Sequence, residues 1–148
     1  MIDYLILLAA VLVGTFGFSV IFGMSPRHLA AGTLLGGVTF SVYYAVYLLI
    51  PDLFLSNFLA ALLAGFLAFG LAIWYRAPAV TFSAVAVISL VPGGALYYTM
   101  YGLISSDYAL FREMGANAIR VGLGIAAGII FSTTIINLIR PHLHRTKR

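Results

Sequence analysis

The chain has 148 residues, of which 63% are hydrophobic and 8% are charged, whereas about a quarter of the residues in ordinary soluble domains are charged. So few charged side chains cannot cover the surface of a soluble domain of this length, and the composition therefore indicates an integral membrane protein in a lipid bilayer. The net charge of only +4 excludes a nucleic-acid binder, and the absence of cysteine excludes a disulfide scaffold, thiol catalysis and thiolate metal sites.

Three long apolar runs occupy the first half of the chain. A bilayer core of about 30 Å needs about 20 helical residues, and the runs over 4–25, 29–50 and 53–75 have that length. Arg27 separates the first two, and Pro51-Asp52 separates the second from the third. Because these connections are only a few residues long, we predict that consecutive helices are antiparallel neighbours. The first run lacks a basic n-region, so it is not predicted to be a removable signal peptide.

A charge-free stretch of 30 residues follows, from Ala77 to Ser106. As one helix it would extend about 45 Å at 1.5 Å per residue, which is too long for an untilted span. Pro92-Gly93-Gly94 lies near its middle and combines a residue without an N–H group with two flexible residues. We therefore predict a fourth span over 78–105 that is broken at this motif.

The break has two interpretations that the sequence leaves open. A discontinuous helix leaves free N–H groups at the start of its second half, and their partial positive charge suits an anionic group such as a carboxylate. On that interpretation Ser89, Tyr97 and Tyr101 flank a substrate path. The other interpretation is a proline kink in a structural helix.

The polar segment 105–117 is predicted to lie at the membrane interface, before a fifth span over 119–139. Glu113, Asn117 and Arg120 are spaced four and three residues apart, so they share one face if the segment is helical. Arg120 is then either a counter-ion for an anionic substrate or a side chain that snorkels to the interface. A basic cytoplasmic tail, 140–148, ends the chain, and its two His residues are predicted to be solvated.

The distribution of Lys and Arg decides between a fourth span that crosses the membrane and one that turns back. If it crosses, the loops at Arg27 and Arg76 share one side with the tail, and that side holds six of the eight basic residues. If it turns back, the eight divide evenly. We therefore predict an all-α integral membrane protein with five transmembrane helices, multi-pass in the cell (inner) membrane, with its N-terminus outside and its C-terminus in the cytoplasm.

Small residues recur at spacings that place them on one helix face, where helices approach closely in lipid. The candidate packing residues are Gly32, Gly36, Ala61, Gly65, Gly124 and Gly128. Packing within the chain and packing against another subunit both explain them. The chain carries no G-x-S-x-G motif, no zincin pattern and no phosphate-cradling loop, so we predict no enzyme activity, no metal and no cofactor.

Two segments carry a resemblance to a known family. The segment 86–100 reads AVISLVPGGALYYTM, and the segment 17–22 reads GFSVIF and precedes Pro26-Arg27. In order along the chain they resemble the threonine/serine exporter (ThrE) family, and specifically its short, YjjB-like half. Ser89 stands where that family usually has proline.

The resemblance implies a secondary exporter of small polar carboxylates, such as threonine and serine or a dicarboxylate like succinate. It also implies a partner, because in this family the short half works with a longer membrane half, fused or separate. The leading hypothesis is therefore the small subunit of a hetero-oligomeric exporter. Its expected path residues are Ser89, Pro92, Gly93, Gly94, Tyr97 and Tyr101, with Arg120 or Arg76 supplying positive charge. The alternatives are an assembly subunit without substrate contact and a homo-oligomeric channel.

Overall fold

The computed structural model describes residues 2–145, and the side chains of residues 2–139, as an all-helical protein. The helices are α1 (Ile2–Ile21), α2 (Pro26–Leu49), α3 (Leu53–Tyr75), α4 (Ala79–Ile88), α5 (Gly93–Ile104) and α6 (Tyr108–Arg145). Four of these helices are long and apolar enough to cross a membrane, and α4 with α5 makes a fifth if the pair is one span. The predicted all-α membrane class is confirmed. The side chains of the predicted tail, 140–148, lie outside the described residues.

Proline and aspartate set the starts of several helices. Pro26 occupies the first position of α2, where its missing N–H group leaves no hydrogen bond unmade. The Asp52 carboxylate accepts the amide of Leu55 at 2.6 Å and caps α3. The Asp107 carboxylate accepts the amide of Leu110 at 3.0 Å and caps α6 in the same way.

The last helix differs from its predicted bounds. α6 begins at Tyr108, so most of the predicted interfacial segment 105–117 belongs to the same helix as the predicted span 119–139. The charges of Arg112, Glu113 and Arg120 interrupt the apolar pattern without interrupting the backbone hydrogen bonds. Tyr108–Ile139 has 32 residues and is about 48 Å long at 1.5 Å per residue, so its charged turns can lie outside a hydrocarbon core of about 30 Å.

Helix α3 is the centre of the bundle, because α2, α4 and α6 all pack on it. Helix α1 packs mainly on α2, and α5 packs on α6. Phe82, Val85 and Ala86 of α4 are fully buried and fix that helix against the α2–α3 side of the bundle.

Helices α3 and α6 run in the same direction. A Cβ atom at Gly124 would lie 2.5 Å from the Phe54 carbonyl oxygen, and one at Gly128 would lie 2.6 Å from the Phe58 carbonyl oxygen. The contacts thus advance together along both helices. Because α3 and α6 are parallel, the α4–α5 pair must carry the chain back from the Tyr75 end of α3 towards its Leu53 end.

Candidate functional site

The break between α4 and α5 is a tight turn over residues 89–92. The Ser89 hydroxyl donates to the carbonyl of Ala86 at 2.7 Å, and the Gly93 amide donates to the carbonyl of Val91 at 2.8 Å. Pro92 has no N–H group with which to continue the helical ladder. Helix α5 leaves at 54° to α4, so the fourth apolar stretch forms two helices.

The start of α5 is open to its surroundings. Its first turn makes a hydrogen bond from the Leu96 amide to the Pro92 carbonyl at 3.0 Å. The amides of Gly94 and Ala95 precede this bond, at positions where a helix offers no internal acceptor. A Cβ atom at Gly93 or Gly94 would meet nothing within 4 Å. Backbone this open inside a membrane must face water, protein or a ligand.

Three tyrosines extend from the break along α5. The rings of Tyr97 and Tyr101 stack with centroids 6.5 Å apart, and Tyr98 meets Tyr97 edge-on at 5.3 Å. All three are exposed, because α5 packs on α6 and on no other helix to a comparable extent. Their rings therefore form an outer surface of the bundle.

A cleft of about 760 Å³ lies on the other side of α4. Helices α4 and α6 both pack on α3 but hardly on each other, so a wedge stays open between them. Its floor is a stripe of small residues on α3, and small side chains leave the room that larger ones would fill. The floor residues are Ala61, Gly65, Ala68 and Ala72.

The cleft is polar at one end and apolar at the other. Arg76, Ser83, Thr133 and Asn137 line the part near the Tyr75 end of α3. Towards the Leu53 end the walls are aliphatic, with Val87 from α4 and Ile129 from α6. The end of the cleft that Arg76 and Asn137 line is here called its mouth.

Arg76 holds an unusual backbone conformation at this mouth. It ends α3 with φ 53° and ψ 43°, in the left-handed region, and its amide donates to the Ala72 carbonyl. This conformation costs a residue with a Cβ atom about 1–2 kcal/mol relative to glycine. Arginine therefore stands at a position where glycine is conformationally favoured.

A sequence model of the family described as "Threonine/Serine exporter, ThrE" matches residues 7–135. The chain belongs to the threonine/serine exporter family. The match runs from α1 into the second half of α6, so it includes the break and all the residues that line the cleft except Ile136 and Asn137. The resemblance carried by the segment 86–100 is thereby confirmed, and the family is one of membrane transporters. Neither a curated protein nor a solved structure gives a match.

In this exporter-family chain the path residues expected from the sequence do not lie together. Arg76 lines the cleft, at the start of α4. Six others lie at or beyond the far end of α4, which has ten residues and is about 15 Å long at 1.5 Å per residue. Those six are Ser89, Pro92, Gly93, Gly94, Tyr97 and Tyr101.

Arg120 stands apart from both places. Gly115 of α6 faces Thr99 of α5, since a Cβ atom there would lie 3.5 Å from the Thr99 methyl carbon. Arg120 is five residues further along α6 and so points about 140° away from that face. It is exposed, and helical spacing puts Glu113 and Asn117 near its face.

The candidate packing glycines all meet side chains or backbone within this exporter chain. Gly36 of α2 lies against Thr15 of α1, and Gly65 of α3 lies against Ser132 of α6. A Cβ atom at Gly32 would come 2.9 Å from the Met24 sulfur. Together with the Gly124 and Gly128 contacts, these approaches account for the small-residue stripes without a second subunit.

Sequence reasoning missed the polar lining of the cleft. Thr133 and Asn137 are not among the path residues expected from the sequence, yet both are exposed and line the cleft. Ser132 beside them is buried, and its hydroxyl donates to the Ile129 carbonyl of its own helix at 3.0 Å. The available signal was the four-residue spacing of Thr133 and Asn137, which puts two polar groups on one face of an apolar helix.

Proposed function

We propose that this chain is the small subunit of a secondary exporter of small polar carboxylates, threonine and serine or a dicarboxylate such as succinate, and not an enzyme. The cleft carries the proposal. Arg76 is the charged residue among its described lining residues, and the planar guanidinium suits a carboxylate because two parallel N–H···O bonds can form. Of the two arginines expected on the path, the cleft favours Arg76.

In the proposed mechanism a substrate carboxylate enters the polar end of the cleft and pairs with Arg76. The Thr133 hydroxyl and the Asn137 amide offer donors and acceptors for the remaining polar groups of the substrate. The solute then passes along α4 to the break, where the open backbone at Gly94 and Ala95 supplies the next N–H groups. Ser89, Tyr97 and Tyr101 flank this second part of the path.

A partner completes the path in this proposal. The cleft is walled by α3, α4 and α6, and its described lining residues come from no other helix. Asp and Glu are absent from that described lining, and in this proposal the partner supplies the carboxylate that couples export to protons. We assign the open side of the cleft and the exposed tyrosines of α5 to contact with the longer membrane half of the exporter.

The experiment measures efflux of labelled threonine, serine and succinate from cells that express this chain, the longer half, both or neither. We expect efflux above background only when both are present. Efflux that is unchanged when this chain is deleted contradicts the proposal. Solute flux through liposomes that contain only the purified chain would instead establish the homo-oligomeric channel.

The substitution Gly93→Leu separates a path role from an assembly role. A Cβ atom at Gly93 would meet nothing within 4 Å, so we expect a leucine there to leave the fold intact while it fills space at the break. We expect assembly with the longer half to be kept and export to fall at least about tenfold, the equivalent of 1.4 kcal/mol in the barrier. Gly70→Leu is the matched control, because Gly70 of α3 is equally open. Loss of both assembly and export in Gly93→Leu would favour the assembly subunit.

A further inference from the structure

The turn after α4 meets α6 in a buried cluster at the inner end of the cleft. Leu90, just after α4, packs there with Val121 and Ile125 of α6 and with Ala60 and Ala61 of α3. These five residues, here called the apolar plug, are between 0 and 9% exposed. They therefore form a dry cluster in an otherwise open wedge.

The apolar plug lies between the cleft and the break. Ala61 belongs to the plug and also lines the cleft, and Val87 and Ile129 line the cleft while packing against the plug. On the other side Leu90 is followed at once by Val91 and Pro92, where the backbone turns. The two parts of the proposed path are thus separated by one layer of aliphatic side chains.

We infer that Leu90, Val121 and Ile125 form the barrier that closes the transport path between the Arg76 cleft and the Pro92 break. This inference rests on the proposed function, because a barrier matters only if a solute crosses this point. A polar solute cannot enter the layer without losing hydrogen bonds to water, and the plug offers no polar side chain to replace them. The inference adds three residues to the path that carry no polar chemistry.

Leu90 is the part of the barrier best placed to give way. The body of α4 is held by the fully buried Phe82, Val85 and Ala86, whereas Leu90 sits in the turn that follows. Its amide donates to the Val87 carbonyl at 2.9 Å, outside the regular ladder of α4. Gly93 and Gly94 follow it by three and four residues, and a Cβ atom at either glycine would meet nothing within 4 Å. Movement of this turn shifts Leu90 without unpacking α4.

The test uses cysteine accessibility, which the chain allows because it contains no cysteine of its own. Ser83→Cys reports on the cleft and Gly94→Cys reports on the break. The full complex is placed in sealed vesicles, a charged membrane-impermeant thiol reagent is added to one side at a time, and modification is read on this chain alone. We expect Ser83→Cys to react only from the side on which Arg76 lies, and Gly94→Cys to react only from the opposite side.

Truncating a side chain of the barrier should allow the reagent to modify Ser83→Cys from both sides of the membrane. In Ser83→Cys with Leu90→Ala, we expect the rate of modification from the opposite side to rise at least about tenfold, and Val121→Ala serves as a second, independent opening. Leu35→Ala is the matched control, because Leu35 is 4% exposed and Leu90 is 5% exposed, but Leu35 packs in the other core cluster. We expect it to leave the sidedness unchanged.

Three results would overturn the inference. In the first, Ser83→Cys is modified equally from both sides while the plug is unchanged. In the second, Ser83→Cys is modified from neither side. In the third, both Leu90→Ala and Val121→Ala leave the sidedness of modification unchanged. Because thiol modification does not require export, the barrier is judged separately from the proposed function. Sided labelling in a complex that exports none of the tested solutes would keep the barrier and refute the proposed substrates.

Discussion

At the scale of single residues, the backbone of Arg76 ends a helix and its side chain places a charge in the cleft. Its left-handed backbone ends α3 and turns the chain into α4. The same residue brings a positive charge to the mouth of a cleft whose described lining otherwise contains only neutral side chains. Glycine would serve the turn better, and the proposed binding of a carboxylate by the guanidinium gives a reason for arginine at this position.

Two substitutions at Arg76 should therefore change stability and export differently. Arg76→Gly should raise the free energy of unfolding by about 1 kcal/mol, because the strained conformation is relieved, while Arg76→Gln should leave it nearly unchanged. Both should raise the substrate concentration for half-maximal export about tenfold or more, since a hydrogen bond to a charged group contributes about 1.5–3 kcal/mol. Thermal unfolding in detergent and export kinetics measure the two effects. Arg27→Gln is the control, and an equal loss in that variant would deny Arg76 a specific role.

At the scale of helices, the parallel contact between α3 and α6 holds the bundle together. Gly124 and Gly128 bring α6 against backbone atoms of α3, and Ser132 continues the contact opposite Gly65. Close backbone approach of this kind replaces hydrophobic exclusion as the source of helix association in lipid. The same contact fixes one wall of the cleft, so the stability of the bundle and the shape of the cleft depend on one helix pair.

The glycines of α6 allow this contact to be tested with a control from the same helix. In Gly128→Ala the new Cβ atom would lie 2.6 Å from the Phe58 carbonyl oxygen and 2.9 Å from the Leu62 amide nitrogen, and backbone atoms cannot move aside as a flexible side chain can. We expect a loss of about 1–3 kcal/mol in the free energy of unfolding, as for other overpacked sites. A Cβ atom at Gly122 would meet nothing within 4 Å, so Gly122→Ala should be neutral or slightly stabilising. Equal midpoints of thermal unfolding for the two variants would contradict the observed contact.

At the scale of the whole molecule, the sequence predicted what depends on hydropathy and missed what depends on which helices touch. Charges and prolines mark the ends of α1, α2 and α3, and their observed bounds lie within four residues of the predicted runs. The Pro92 motif marked the break because it removes a hydrogen-bond donor. The cleft, however, exists because α4 and α6 pack on α3 and hardly on each other. No residue pattern in the sequence indicates which helices stay apart. The sequence therefore identified Arg76 as a candidate path residue, but it could not indicate how far Arg76 lies from the break.

The direction of α6 leads to a prediction about topology. Because α3 and α6 are parallel, the α4–α5 pair returns the chain across the bundle, and an odd number of crossings places the two ends of the chain on opposite sides of the membrane. We expect Ile2→Cys to react with an impermeant thiol reagent from outside the cell, and a peptide tag after Arg148 to be cleaved by protease only from the cytoplasmic side. The excess of Lys and Arg around Arg27, Arg76 and the tail gives that orientation. Reaction of both ends from one side would mean that α4 and α5 form a re-entrant hairpin, and the path from the cleft to the break would then not cross the membrane.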